Sequence, residues 1–224
     1  MKLNKMIDHT KLGANVSLEQ INKLVDEAKV YDFKSVCVNP IWVNYAKQEL
    51  KNTDVLVCTV IGFPHGTHQP EVKAFEALEA VKNGADELDM VINVYALKSH
   101  QDDLVKKDIE GIVKAGAGRT VKVILETCYL TAEEIERGSK IAVSAGAHFV
   151  KTSTGFGTYG ARVEDVQLMK KTVGARAEVK ASGGVRTYDD AMKMIEAGAT
   201  RIGTSNGVDI VSQRRDQSDS NTSY

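Results

Sequence analysis

The chain has 224 residues, 42% of them apolar and 26% charged, with a formal net charge of -1 at pH 7. That length fits one domain with a sizeable core, and the near-zero charge leaves no basic field to hold a nucleic-acid backbone or an anionic membrane. The opening MKLNKMIDHTKL lacks an apolar signal core, and no apolar run approaches the roughly 20 residues of a membrane helix, so a cytoplasmic protein is expected.

Taken in chain order, short apolar strands alternate with amphipathic helices. Strands are predicted near Ile7–Thr10, Ser35–Asn39, Val55–Ile61, Glu87–Asn93, Lys122–Thr127, Phe149–Thr152, Glu178–Ser182 and Arg201–Thr204. Helix signals fall between them. Ser17 with Gln20 makes a capping box before a helix whose Leu18, Ile21, Leu24, Val25 and Ala28 share one face. Pro70 suits the first turn of a helix carrying Val72, Phe75, Leu78 and Val81. Thr131 with Glu134 repeats the capping box, and Thr187 is a plausible N-cap for the helix of Ala191, Met194 and Ile195.

The helix exits repeat as well. Asn83-Gly84-Ala85-Asp86, Ala145-Gly146-Ala147-His148 and Ala197-Gly198-Ala199-Thr200 each close a helix with glycine and open a strand. Ala115-Gly116-Ala117-Gly118 is a looser copy. Eight strands with intervening helices predict a single-domain (β/α)8 TIM barrel over residues 1–212. A doubly wound open sheet has the same alternation and is the structural rival. The polar stretch from Gln213 to Tyr224 reads as a flexible tail, long enough to reach back over the barrel mouth.

Charges inside the strands carry the functional signal. Along Glu87–Asn93, Leu88, Met90 and Ile92 share one face, while Glu87, Asp89, Val91 and Asn93 share the other. Val179 and Ala181 likewise oppose Glu178, Lys180 and Ser182; Val123 and Leu125 oppose Lys122 and Glu126; Val150 opposes Lys151. In a barrel the polar parity points inward, so Asp89, Glu126, Lys151 and Lys180 are expected to converge there. Charged groups are rarely buried unless paired or used. A structural ion network is the bland alternative. Two lysines and an aspartate near the strand C-termini, where barrel active sites lie, favour catalysis.

The chemistry that needs such residues is covalent. Lysine attacks a carbonyl only as the neutral amine, a form favoured by burial and by a neighbouring like charge. Lys151 and Lys180 fall on adjacent predicted strands and could supply that charge to one another. The resulting iminium is an electron sink for making or breaking a carbon–carbon bond, and Asp89 can move protons directly or through water. Ser182-Gly183-Gly184 and Gly203-Thr204-Ser205-Asn206-Gly207 follow the seventh and eighth strands, where barrels often bind phosphate. Thr152-Ser153-Thr154-Gly155 adds hydroxyl donors beside Lys151. His65 and His68 have a metal-like spacing but no evident third ligand in a Gly/Pro loop, so no metal and no cofactor are expected. Cys37, Cys58 and Cys128 form no CxxC and read as reduced structural thiols.

Three long motifs carry a family resemblance. Val150-Lys151-Thr152-Ser153-Thr154-Gly155, Glu87-Leu88-Asp89-Met90-Val91-Ile92-Asn93 and Val179-Lys180-Ala181-Ser182-Gly183-Gly184-Val185-Arg186 resemble the signature segments of the 2-deoxyribose-5-phosphate aldolase family. Ile7-Asp8-His9-Thr10 and Gly62-Phe63-Pro64 match it too, and the similarity runs to about Val208. The resemblance implies a metal-free aldolase cleaving deoxyribose 5-phosphate to glyceraldehyde 3-phosphate and acetaldehyde, in deoxyribonucleotide breakdown. It implies that Lys151 forms the Schiff base while Asp89 and Lys180 move protons. Thr154, Gly155, Gly183, Gly184, Ser205 and Asn206 then match the phosphate region, although Ser205-Asn206 departs from the paired serines of some members. Asp8, Thr10 and Cys37 match pocket-lining positions, and Tyr224 matches a terminal tyrosine that reaches the site in some members. The expected partners are a sugar phosphate and aldehydes, with no nucleic acid and no membrane; a homodimer is left open. Another Schiff-base aldolase or transaldolase, a non-covalent phosphosugar isomerase, and an inactive phosphosugar-binding domain are the functional rivals.

Overall fold

The computed structural model describes residues 2–213. Among them eight parallel strands close into a barrel in sequence order. They are β1 (Ile7–Lys11), β2 (Ser35–Val38), β3 (Leu56–Ile61), β4 (Glu87–Val91), β5 (Thr120–Ile124), β6 (Phe149–Lys151), β7 (Glu178–Ser182) and β8 (Arg201–Thr204). The helices are α1 (Leu18–Tyr31), α2 (Val43–Glu49), α3 (Pro70–Lys82), α4 (Val94–Lys98), α5 (Asp102–Ala115), α6 (Ala132–Ser144), α7 (Val163–Val173), α8 (Tyr188–Glu196) and α9 (Gly207–Val211). Closure against β1 removes the free edges that an open sheet would leave, so the doubly wound alternative does not apply.

Local chemistry sets the helix ends as the sequence predicts. Ser17–Gln20 and Thr131–Glu134 form reciprocal capping boxes, and Thr187 forms another with Asp190. Pro70 opens α3, where its missing N–H costs nothing. Gly84, Gly146 and Gly198 take the positive φ expected of helix-closing glycines.

Strand parity separates two interiors. Val36, Val57, Leu88, Val123, Val150, Val179 and Ile202 point outward and are fully buried under the helices. Each such side chain contributes roughly 1.5–3 kcal/mol of burial. The opposite parity brings Asp8, Glu87, Asp89, Lys122, Lys151, Lys180 and Arg201 into the barrel, beside apolar groups such as Cys37, Cys58, Val60 and Phe149.

Two segments differ from the sequence expectation. Val72, Phe75 and Leu78 of α3 lie outward, at 51%, 62% and 41% exposure, while Lys73, Ala77 and Ala80 form its buried face. Small alanines allow close packing there, and Lys73 is buried because it finds Asp108 of α5 at 2.6 Å. The fifth strand ends at Ile124 rather than Thr127, because Glu126 turns left-handed (φ 55°, ψ 65°) into a short 3-10 turn. No described helix is long and apolar enough to cross a membrane. Apart from Gln213, the expected tail lies outside the described residues, and so does Tyr224.

Candidate active site

Lys151 is the last residue of β6 and stands in register with Lys180 of β7. Asp89 of β4 stands in register with Lys122 of β5. These inward positions bring the groups together. Asp89 Oδ2 accepts from Lys151 Nζ at 2.9 Å and from Lys180 Nζ at 2.7 Å. Its Oδ1 accepts from Lys122 Nζ at 2.8 Å and from the Cys58 thiol at 3.1 Å.

A second set of charges continues the network. Lys122 also donates to Glu87 at 2.6 Å, and Lys180 pairs with Asp8 at 2.5 Å. Arg201 of β8 donates to Asp8 at 2.8 Å and to Glu87 at 2.9 and 3.2 Å. The Ser35 hydroxyl donates to Asp8 at 2.6 Å. The basic groups Lys122, Lys151, Lys180 and Arg201 therefore meet the acids Asp8, Glu87 and Asp89.

Electrostatics assign the charges. Burial disfavours the ionised Asp89, but the ammonium groups of Lys122, Lys151 and Lys180 outweigh burial and hold its carboxyl well below the usual range. Burial likewise opposes the Lys180 ammonium, but Asp8 and Asp89 outweigh it and raise its pKa. Lys122 and Arg201 are raised in the same way by their carboxylate partners, against desolvation. Lys180 therefore rests as an ammonium beside Lys151. Lys122 and Lys180 have no exposed side-chain surface, whereas Lys151 keeps 3%.

The remaining predicted residues occupy distinct places. Asp8 and Cys37 are fully buried; Cys37 stands in register with Cys58, and Asp8 is engaged by the ion network. Thr10 donates its hydroxyl to the Asp8 carbonyl at 2.8 Å. The Thr154 hydroxyl donates to Glu126 and accepts from the Phe156 N–H at 3.0 Å. Gly155, Gly183 and Gly184 all have positive φ, a conformation that turns backbone N–H groups without steric cost only at glycine. The Gly155 Cα lies 3.7 Å from the point where a Cβ on Gly183 would stand. Buried beside them, Ser153 and Ser182 have hydroxyls without a partner among the described residues. Ser205 and Asn206 line a cavity of about 350 Å³ with His9, Thr10, Lys23 and Glu27. A second cavity, about 310 Å³, is lined by Glu126, Thr154, Val91, His65, Tyr129 and Phe156.

Sequence reasoning missed Lys122, Glu87 and Arg201 as members of the charge network. The signal was present, since Lys122 shares its face with Glu126 and Glu87 shares its face with Asp89. What parity does not give is which inward charges touch. Among the described residues, Cys37, Cys58 and Asp89 offer three potential metal ligands within 4.8 Å of one another. Asp89 is already held by Lys122, Lys151 and Lys180, whose charges oppose a divalent cation. His65 and His68 are exposed in the loop after β3.

A family model described as DeoC/LacD family aldolase matches residues 2–213. The deoxyribose-phosphate aldolase of Acholeplasma laidlawii is 58% identical over 224 residues, covering all of both chains. That of Streptococcus sanguinis is 61% identical over 211 residues, 94% of this chain and 96% of the relative. The tetrameric deoxyribose phosphate aldolase of Aeropyrum pernix superposes with a TM-score of 0.87 at 35% identity, covering 94% of this chain and 89% of that one. With a charged lysine and aspartate interior in a closed barrel, and this likeness along nearly its whole length, the chain belongs to the DeoC/LacD family of aldolases.

Proposed function

We propose that the chain reversibly cleaves 2-deoxy-D-ribose 5-phosphate to D-glyceraldehyde 3-phosphate and acetaldehyde through a Schiff base on Lys151, serving deoxyribonucleotide breakdown. The observation that carries this reading is the shared oxygen of Asp89, held by Lys151 on one side and by the charged Lys180 on the other. Names of relatives matching from end to end support the choice of sugar phosphate.

The neutral Lys151 amine attacks C1 of the open-chain sugar. Loss of water from the carbinolamine leaves an iminium. Removal of the C3 hydroxyl proton then breaks the C2–C3 bond, whose electron pair flows into the iminium to give an enamine. The three-carbon aldehyde phosphate departs. Protonation of the enamine at C2 and addition of water release acetaldehyde and restore the amine. Lys180, charged at rest, would lend a proton to the reacting centre and regain it, and Asp89 would relay protons between the C3 hydroxyl, C2 and water. Gly155, Gly183, Gly184, Ser205 and Asn206 would hold the phosphate, with backbone N–H groups supplying most donors. Thr154 acts on that region through the backbone, because its hydroxyl is already engaged.

The test is product analysis. Purified protein given deoxyribose 5-phosphate should release acetaldehyde and glyceraldehyde 3-phosphate, with the rate unchanged by EDTA. In the synthetic direction acetaldehyde should outcompete a ketone donor. Release of a ketone, or isomerisation without cleavage, would move the chain to one of the rival reactions.

A further inference from the structure

The mechanism above leaves Glu126 without a task, although it is 3% exposed and lies just beyond β5 at the strand C-terminal end. Its backbone is left-handed without being glycine, a conformation that persists only where the surroundings impose it. Both carboxylate oxygens are engaged by one residue. Oε1 accepts from the Thr154 N–H at 3.2 Å, and Oε2 accepts from the Thr154 hydroxyl. Glu126 therefore grips the start of the segment 154–162 that leads from β6 to α7 and carries Gly155.

The far end of that segment is fixed on the loop after β7. The Ala161 N–H donates to the Gly183 carbonyl at 2.9 Å. Gly160 lies so close that a Cβ there would stand 2.1 Å from the Gly183 oxygen. The segment is pinned at Glu126 and at Gly183, with Gly155 between the two pins. A carboxylate suits this place because two donors of Thr154 meet two acceptors. A glutamine would present one acceptor and turn an N–H group toward the other donor.

We propose that Glu126 is a positioning residue: by gripping Thr154 it fixes Gly155, and through the packed segment Gly183, as the backbone cradle of the substrate phosphate. The inference rests on the phosphate assignment made above and deepens it. Glu126 touches no reacting atom in this role. Its loss acts on recognition of the phosphorylated end and leaves the carbonyl end alone.

The experiment compares 2-deoxyribose 5-phosphate with 2-deoxyribose, which lacks the phosphate, in wild type, Glu126→Gln, Thr154→Val and the double variant. Each single change should lower kcat/KM for the phosphorylated sugar by about tenfold, chiefly through KM, the scale of a lost hydrogen bond to a charged group. For the unphosphorylated sugar kcat/KM should stay within about twofold. The double variant should be no worse than either single one, since both break one unit. Glu126→Gly, which suits the left-handed backbone while removing the grip, should show the same selective loss. Equal losses for both sugars, or no loss with either, would overturn the role of Glu126. A wild type that cleaves neither sugar would instead overturn the functional reading itself.

Discussion

Lys151 and Lys180 stand side by side on adjacent strands and donate to the same oxygen of Asp89, at 2.9 and 2.7 Å. Lys180 is the more buried of the two and rests in its charged form beside Asp8 and Asp89. In the proposed mechanism Lys180 is the resting cation and Lys151 supplies the attacking amine. Lys180→Leu removes both the like charge and the proton donor beside Lys151. Turnover should fall by about 100-fold or more, the usual scale for loss of a proton-moving group. Adduct formation should recover in more alkaline solution. A steady-state pH series on the folded variant checks this, and an unchanged rate and profile would remove Lys180 from the account.

Acid should unfold the barrel from within. The folded values of Asp8 and Asp89 lie below the unfolded aspartate value of about 3.9. Such groups contribute stability that is present above the unfolded value and is lost as pH falls toward the folded one. Urea midpoints should therefore drop between about pH 4 and pH 2. Asp8→Asn should be less stable at pH 7 by about 3–5 kcal/mol, because it leaves buried cations short of a partner. It should also show a shallower acid dependence than wild type. Parallel curves would mean that Asp8 is not the group titrating.

The buried pair of Lys73 and Asp108 is a separate structural device. Lys73 also donates to the Val91 carbonyl at 2.9 Å, tying α3 and α5 to the end of β4. Burial pushes the Asp108 carboxyl up even with Lys73 beside it, so this site depends on its partner. Lys73→Met alone should cost about 3–5 kcal/mol in denaturant unfolding. Lys73→Met with Asp108→Leu should recover most of that loss, since neither charge is then stranded. A double variant as unstable as the single one would show that the Val91 bond, and not the ion pair, carries the stability.

Glycine positions separate steric from conformational demands. An alanine at Gly160 would place its Cβ 2.1 Å from the Gly183 carbonyl oxygen, so the loops must part. Gly174 has a φ of 59°, and a Cβ added there would meet nothing within 4 Å. Gly174→Ala should cost about 1–3 kcal/mol, the conformational penalty alone. Gly160→Ala should cost more and should raise KM for the sugar phosphate. Calorimetry and steady-state kinetics on both variants test the contrast.

Much of this architecture was legible because the sequence states it locally. Capping boxes at Ser17, Thr131 and Thr187 and glycines at 84, 146 and 198 mark where helices start and stop. Period-two alternation places Asp89, Lys151 and Lys180 on inward faces. Parity gives a direction but no depth, so the extent of the ion network through Glu87, Lys122 and Arg201 was not legible. On α3 the apolar residues Val72, Phe75 and Leu78 face outward while a buried ion pair fills the inner side. No local pattern announces that inversion, because Lys73 is buried by a partner 35 residues away in sequence. The left-handed Glu126 is similar. Its side chain meets Thr154, 28 residues away in sequence, and its residue type does not signal the backbone conformation.

The covalent step is the claim on which the mechanism stands. Protein incubated with deoxyribose 5-phosphate and borohydride, digested and sequenced by mass spectrometry, should carry a reduced substrate-derived adduct on the peptide containing Lys151. An active sample with no adduct, or with the adduct only on another lysine, would contradict the account.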